Sequence, residues 1–282
     1  MKRFAALAAV LSLALSGISF VLASGAGARE RSAASSTGLP TLTLAVTKNS
    51  VTVGGAEVSG AVNVATTVSG EAGDNPALIL LKPGVTASQF GAVVAKIGNK
   101  PLDAIDPYGT IVYDSQNALK GKTTIGQVVL PAGNYVAVNN GNGYATFTVT
   151  QSSSPASLPA PAATVTAIDF GFRGAATLHD GSVVRFQNDG YLIHMFLFGQ
   201  VKSLAAAQKA EALLLQGKLK AAGKTYGTGV KGQFAGPLSS GSMQQEVVNE
   251  PPGVYVILCA MNAEDGRDHY QLGMFRTIRI VK

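Results

Sequence analysis

The chain has no tryptophan, one cysteine and three histidines among 282 residues, and only 13% of its residues are charged. Each shortage excludes something. Low charge beside 46% hydrophobic residues excludes a wholly solvated, disordered chain, which needs the opposite balance. A lone cysteine, Cys259, excludes an internal disulfide. The formal charge of +6 is modest and spread along the chain, and no block of Lys or Arg interleaves with aromatics, so nucleic acid is not an expected partner. What is plentiful is glycine, at 33 residues, together with many Val and Thr. That composition suits strands joined by tight turns, and the fold class expected is all-β.

The N-terminus has the grammar of an export signal. Lys2 and Arg3 precede an apolar or small stretch from Phe4 to Leu22, and cleavage fits after Ala23 or Ala28. Residues 1–28 are read as a signal peptide and 29–40 as a flexible leader. The alternative is a retained anchor, because the uncharged run is about long enough to span a bilayer. No cysteine near the exit offers a lipid anchor, and no later stretch could cross a membrane. The mature protein is therefore expected in the cell envelope, the periplasm or the medium, with no stable membrane span after cleavage. In such oxidising compartments cysteines usually pair. Unpaired Cys259 is then either a buried inert thiol or a reactive or metal-binding one.

A Ser/Pro/Ala-rich stretch, residues 151–163, reads as a linker and divides the mature chain into 41–150 and 164–282. The two parts resemble one another. Thr41-Leu-Thr-Leu-Ala-Val46 and Thr164-Val-Thr-Ala-Ile168 both alternate as strands do. Thr86, with Gln89 placed as in a capping box, opens a helix to Ile97, and Ser203 opens one to Leu215. Gln127 to Val136 parallels Glu246 to Val256, each a pair of β runs around a Pro and Gly turn. Aligned in this way, Cys259 falls opposite Asn139 and His194 opposite Ala77. All three histidines and the cysteine belong to the second copy.

Chemistry concentrates near the C-terminus, in Gly253-Val-Tyr-Val-Ile-Leu-Cys259, His269-Tyr-Gln-Leu-Gly-Met274 and, well upstream, His194. The order of an early His followed by Cys, His and Met resembles the cupredoxins, the type 1 blue copper proteins. The resemblance covers roughly Thr164 to Lys282, and the first copy only weakly. It implies one copper ion held by His194, Cys259, His269 and Met274. It also implies that the edge of the loop histidine faces a redox partner protein, with Tyr270 and Leu272 beside it. Nine residues separate Cys259 from His269, longer than in plastocyanin or azurin and nearer to nitrite reductase. The donor set independently suits copper: a thiolate and two imidazoles make a trigonal site and a thioether a weak axial contact, whereas zinc prefers four strong ligands. Met195, Phe196, Phe198 and Tyr270 are candidates for the apolar wall. Singly, each ligand has an ordinary reading as a packed or solvated residue; together, in this order, they read as a site.

Other chemistries find less. His179 precedes Asp180-Gly181 and reads as a residue of a hairpin turn. A second copper centre needs further histidines, including ones flanking the cysteine, where Leu258 and Ala260 stand. Gly223-Lys-Thr225 mimics the end of a phosphate loop, but Lys218 stands where its first glycine belongs. The expectation is two tandem Greek-key β-sandwiches, the first without metal ligands, each with a short helical excursion. The expected function is one-electron transfer by a carrier or binding protein rather than an enzyme. The alternatives are copper storage or delivery, and a structural or adhesive module that has lost the metal.

Overall fold

Alternation decides the first strand. Leu42, Leu44 and Val46 are buried while the residues between them are exposed, which is the signature of a sheet with one covered face. The computed structural model of the chain describes residues 38–69, 76–97, 100–115, 121–139, 143–226 and 231–282. Residues 1–28, expected to be a signal peptide, and nearly all of the expected leader 29–40 lie outside the described residues. Among the described ones, no helix is long and apolar enough to cross a membrane.

The N-terminal half contains β1 (Thr41–Thr47), β2 (Ser50–Gly55), β3 (Gly60–Val68), β4 (Ala77–Leu81), helix α1 (Ala87–Ile97), β5 (Gly109–Asp114), β6 (Thr123–Leu130), β7 (Gly133–Asn139) and β8 (Gly143–Val149). A 3-10 turn, Leu102–Ile105, lies between α1 and β5. The C-terminal half contains β9 (Ala163–Ile168), β10 (Gly171–Gly174), β11 (Thr177–His179), β12 (Val183–Asn188), β13 (His194–Val201), helices α2 (Leu204–Leu215) and α3 (Leu219–Gly223), β14 (Lys231–Leu238), β15 (Met243–Val247), β16 (Gly253–Leu258) and β17 (Phe275–Val281). Both helix starts are capped as expected. Thr86 Oγ1 accepts from the Gln89 amide and Gln89 Oε1 from the Thr86 amide, while Ser203 Oγ accepts from the Ala206 amide.

Pairing order repeats between the halves. β1 runs antiparallel to β2 and parallel to β3, and β9 does the same with β10 and β12. Sheet β5-β4-β7-β8 has its counterpart in β14-β13-β16-β17, to which β11 adds an edge. In each half one sheet packs on the other as a β-sandwich with Greek-key crossings. Tyr135 and Tyr255 mark equivalent places, since each hydroxyl donates to a proline carbonyl four residues back, Pro131 at 2.8 Å and Pro251 at 2.6 Å. That equivalence puts Cys259 opposite Asn139. It does not put His194 opposite Ala77: Leu80 pairs with Tyr135 and Gln200 with Tyr255, so Ala77 matches Leu197. The position matching His194 is Asp74, outside the described residues. Bland alanine and a shared strand start let the alignment slip by three.

The halves are not beads on a string. β6 pairs with β15, fusing two four-stranded sheets into one of eight, β10-β9-β12-β15-β6-β3-β1-β2. Ser239, just past β14, bonds both polar groups of Ile111 in β5. One apolar core runs from Phe90 and Ile111 in the first half to Phe196 and Met274 in the second. The linker is pinned as well: the Ala61 amide donates to the Ala156 carbonyl and Gln245 to the Pro159 carbonyl. Around the seam lie two fully buried carboxyls, Asp114 and Glu246. Gly126 makes room there, because a methyl group on it would meet both the Glu246 carboxyl and the Tyr113 hydroxyl.

Candidate metal centre

β16 delivers Cys259 one residue past its end, and β13 begins at His194. The long loop after Cys259 then closes on itself. Asn262 bridges Asp268 across its base, and the tip around Asp265 and Gly266 is exposed. Its far end is a 3-10 turn, His269–Leu272, with an Asp268/Gln271 capping box. Backbone bonds tie that turn to the cysteine: Tyr270 N–H donates to the Cys259 carbonyl, His269 N–H to Met261 and Cys259 N–H to Met274. Loop length therefore does not displace His269.

The result is a triangle of donors. His194 Nδ1 lies 3.1 Å from His269 Nδ1, and Cys259 Sγ lies 3.8 Å and 3.4 Å from the two. Three donors so spaced leave a point in their plane about 2.0 Å from each, close to ordinary metal–nitrogen lengths and a little short for sulfur. All three residues are fully buried, and among the described residues they form the one group of three or more His, Cys, Asp or Glu side chains able to hold a metal ion. Met274 is also fully buried, and its amide donates to the His269 carbonyl at 3.0 Å. Met195, Phe196, Phe198 and Tyr270 share the apolar cluster that encloses Cys259, and the Met195 amide donates to Sγ at 3.4 Å. His179 is exposed, bonds the terminal carbonyl of Lys282 at 3.1 Å and takes no part. The turn it opens is not a hairpin, since β11 pairs with β17 and β12 with β9.

Second contacts prepare the imidazoles. His194 Nε2 lies 3.1 Å from Asp169 Oδ1. An Nε2–H donated to that carboxylate leaves the Nδ1 lone pair facing the triangle. Gly190 allows the approach, because a methyl group there would sit 2.8 Å from His194 Nε2. Partial burial opposes ionisation of Asp169, but the amides of Tyr191 and Leu192 and the His194 ring outweigh it and hold its carboxyl below the usual value. Burial lowers His194, against the pull of Asp169, and lowers His269 to about 4, with His194 adding to the effect. Both rings are thus neutral donors at pH 7. Burial pushes the Cys259 thiol up to about 12. A thiol so held is no reactive nucleophile at neutral pH, which leaves the inert and the metal-binding readings.

One expectation from the resemblance fails. The loop histidine does not present its edge to solvent: His269 is fully buried, and its Nε2 has no hydrogen-bond partner in the protein. Phe170 packs on the ring edge-to-face, at 5.3 Å between centroids and 88°. Tyr270 is buried too, and Leu272 is half-buried, so the expected docking pair does not stand free. Phe170 and Asp169 together form the two-residue turn between β9 and β10. One turn therefore touches both histidines. Phe170 is also the one described non-glycine residue with positive φ, at 61°, a conformation that costs an L-residue about 1–2 kcal/mol. Sequence inspection passed over both residues, because a turn of Asp-Phe carries no glycine or asparagine to mark it.

No family model and no curated protein matches the chain. Solved structures do. An auracyanin from Roseiflexus castenholzii is 16% identical over 42% of this chain and 95% of its own, with a TM-score of 0.25. An azurin from Methylomonas sp. strain J is 13% identical over 42% and 96%, also at 0.25. A copper nitrite reductase from Nitrosomonas europaea is 9% identical over 86% and 94%, at 0.23. The expectation of a carrier or binding protein rather than an enzyme is corrected here, since the structures matching 86% of the chain include this reductase and a multicopper oxidase, both enzymes. The chain is thus similar in structure to cupredoxins and to copper oxidases and reductases, at low identity and low TM-score.

Proposed function

We propose that the protein is an exported cupredoxin that binds one type 1 copper ion and transfers single electrons through it. The convergence of His194 Nδ1, His269 Nδ1 and Cys259 Sγ inside an apolar core carries this reading. Bound copper would supply one-electron redox chemistry at that point. His194, His269 and Cys259 would hold the ion as strong ligands, and Met274 would add a weak thioether contact. Asp169 holds the His194 tautomer. The aromatic and aliphatic wall excludes water and fixes the donors, so little has to move when charge changes. The signal-like sequence of residues 1–28 supports export to the envelope or beyond the cell.

Storage or delivery of copper uses the same donors, and voltammetry separates the two. The copper-loaded protein should give a reversible one-electron wave over repeated cycles, with metal analysis afterwards still showing one copper per chain. Loss of the metal on reduction would point instead to copper handling.

A further inference from the structure

The segment that carries His194 is hung largely on side chains rather than on a strand ladder. β13 pairs with β14 at His194↔Leu238, but the register shifts before Phe196, so the ladder beside the ligand is irregular. The amides of Tyr191 and Leu192 donate to Asp169, and that of Met195 donates to Cys259 Sγ. The Asn188 side chain ties down the Leu192 carbonyl at 2.7 Å. The Ile193 amide, immediately before the ligand, donates to Asp103 Oδ1 in a short bond.

Asp103 does not belong to the C-terminal half. It lies in the 3-10 turn between α1 and β5, ninety positions upstream, in the copy that has neither histidine nor cysteine. Leu102 and Ile105 of that turn are buried in the continuous core, so the carboxylate is mounted on a fixed base. Asp106, at the end of the same turn, bonds Ser239 Oγ at 3.2 Å, and Ser239 in turn holds both polar groups of Ile111. A second tie thus fixes the turn to the strand that runs beside His194.

We propose that the N-terminal half completes the metal centre: Asp103 is a positioning residue that fixes the Ile193–His194 backbone and so sets where Nδ1 of His194 points. This rests on the copper reading for its consequence, though not for its geometry. A domain that looks spare by its lack of ligands then has a task. It also explains why the halves share a sheet and a core instead of hanging from a free linker, since a carboxylate placed across a mobile joint could not hold a ligand to a fraction of an ångström.

The test compares Asp103→Ala and Asp103→Asn in the full chain. Asparagine keeps an acceptor oxygen and removes the charge; alanine removes both. In the metal-free protein, amide hydrogen exchange by NMR should show the Ile193 N–H losing at least about tenfold of its protection in Asp103→Ala and keeping it in Asp103→Asn. In the copper-loaded protein, Asp103→Ala should bind copper about 10–100-fold more weakly, as loss of an outer contact does. Its thiolate absorption bands should shift in relative intensity, with Asp103→Asn close to the parent. Unchanged Ile193 protection and unchanged bands in Asp103→Ala would overturn the proposal, and so would equal impairment of both variants. If the parent protein takes up no copper, the copper reading fails, while the exchange arm still decides whether Asp103 holds the segment.

Discussion

Raising the pH from about 5 to about 9 is expected to weaken the fold, and Asp114→Asn or Glu246→Gln to remove part of that sensitivity. Both carboxyls are fully buried at the seam between the halves. Their partners are uncharged: Gln233 Nε2 donates to Asp114 Oδ1 at 2.9 Å, and Gln244 Nε2 donates to the Asp114 carbonyl and to Glu246 Oε1, both at 2.8 Å. Tyr113 is the other titratable group facing them, and no basic side chain pairs with either acid among the described residues. Burial therefore holds both acids well above the ordinary carboxylate range, and Asp114 pushes Glu246 further in the same direction.

The sign follows. A carboxyl whose folded value is raised gives its full stability below the unfolded value, near 4, and loses it as the pH climbs through the folded value. Urea denaturation followed by circular dichroism at several pH values should show the parent losing on the order of 1–3 kcal/mol towards high pH. The two neutral isosteres should lose less and be the more stable proteins at the alkaline end. A parent whose stability rises over this window would mean that both acids are ionised in the fold and compensated by something other than their amide partners.

Phe234→Ala is expected to cost about 3–5 kcal/mol, a large share of the 5–15 kcal/mol that usually separates folded from unfolded chains. Phe234 is 1% exposed and sits at the middle of an aromatic stack. Its ring lies 4.1 Å from Phe198 and 5.3 Å from Phe186, centroid to centroid, and Phe198 continues to Tyr255. Truncation removes both stacking partners at once and leaves a cavity in a core that cannot collapse easily, because β14 is also held from the N-terminal side. Scanning calorimetry should show one transition moved to lower temperature in the variant. Two transitions, one of them unmoved, would contradict a core shared by the halves.

Local features were legible in the sequence, and contacts between distant segments were not. The caps at Thr86 and Ser203 depend on residues three apart, and the alternation of β1 on neighbours two apart, so both could be seen directly. Cys259, His269 and Met274 fall within sixteen residues, and their order was enough to bring His194 to them. The seam between β6 and β15 left no trace, because an edge strand that pairs with another copy has the same alternation as one that does not. Asp103 looked like any acid in a loop. Phe170 looked like any turn residue, and with it went the expectation that the histidine edge and Tyr270 meet the partner. The Ser/Pro stretch reads as a linker by composition, yet its Ala156 and Pro159 carbonyls accept hydrogen bonds from β3 and β15, which composition does not reveal.

The central claim is a thiolate–copper bond at Cys259, and the visible spectrum of the mature protein titrated with copper(II), beside that of Cys259→Ala, tests it most directly. The account predicts an intense blue or green band that saturates at one copper per chain, bleaches with reductant and is absent from the variant. A parent that stays colourless and binds no stoichiometric copper, or a variant that keeps the band, would contradict it.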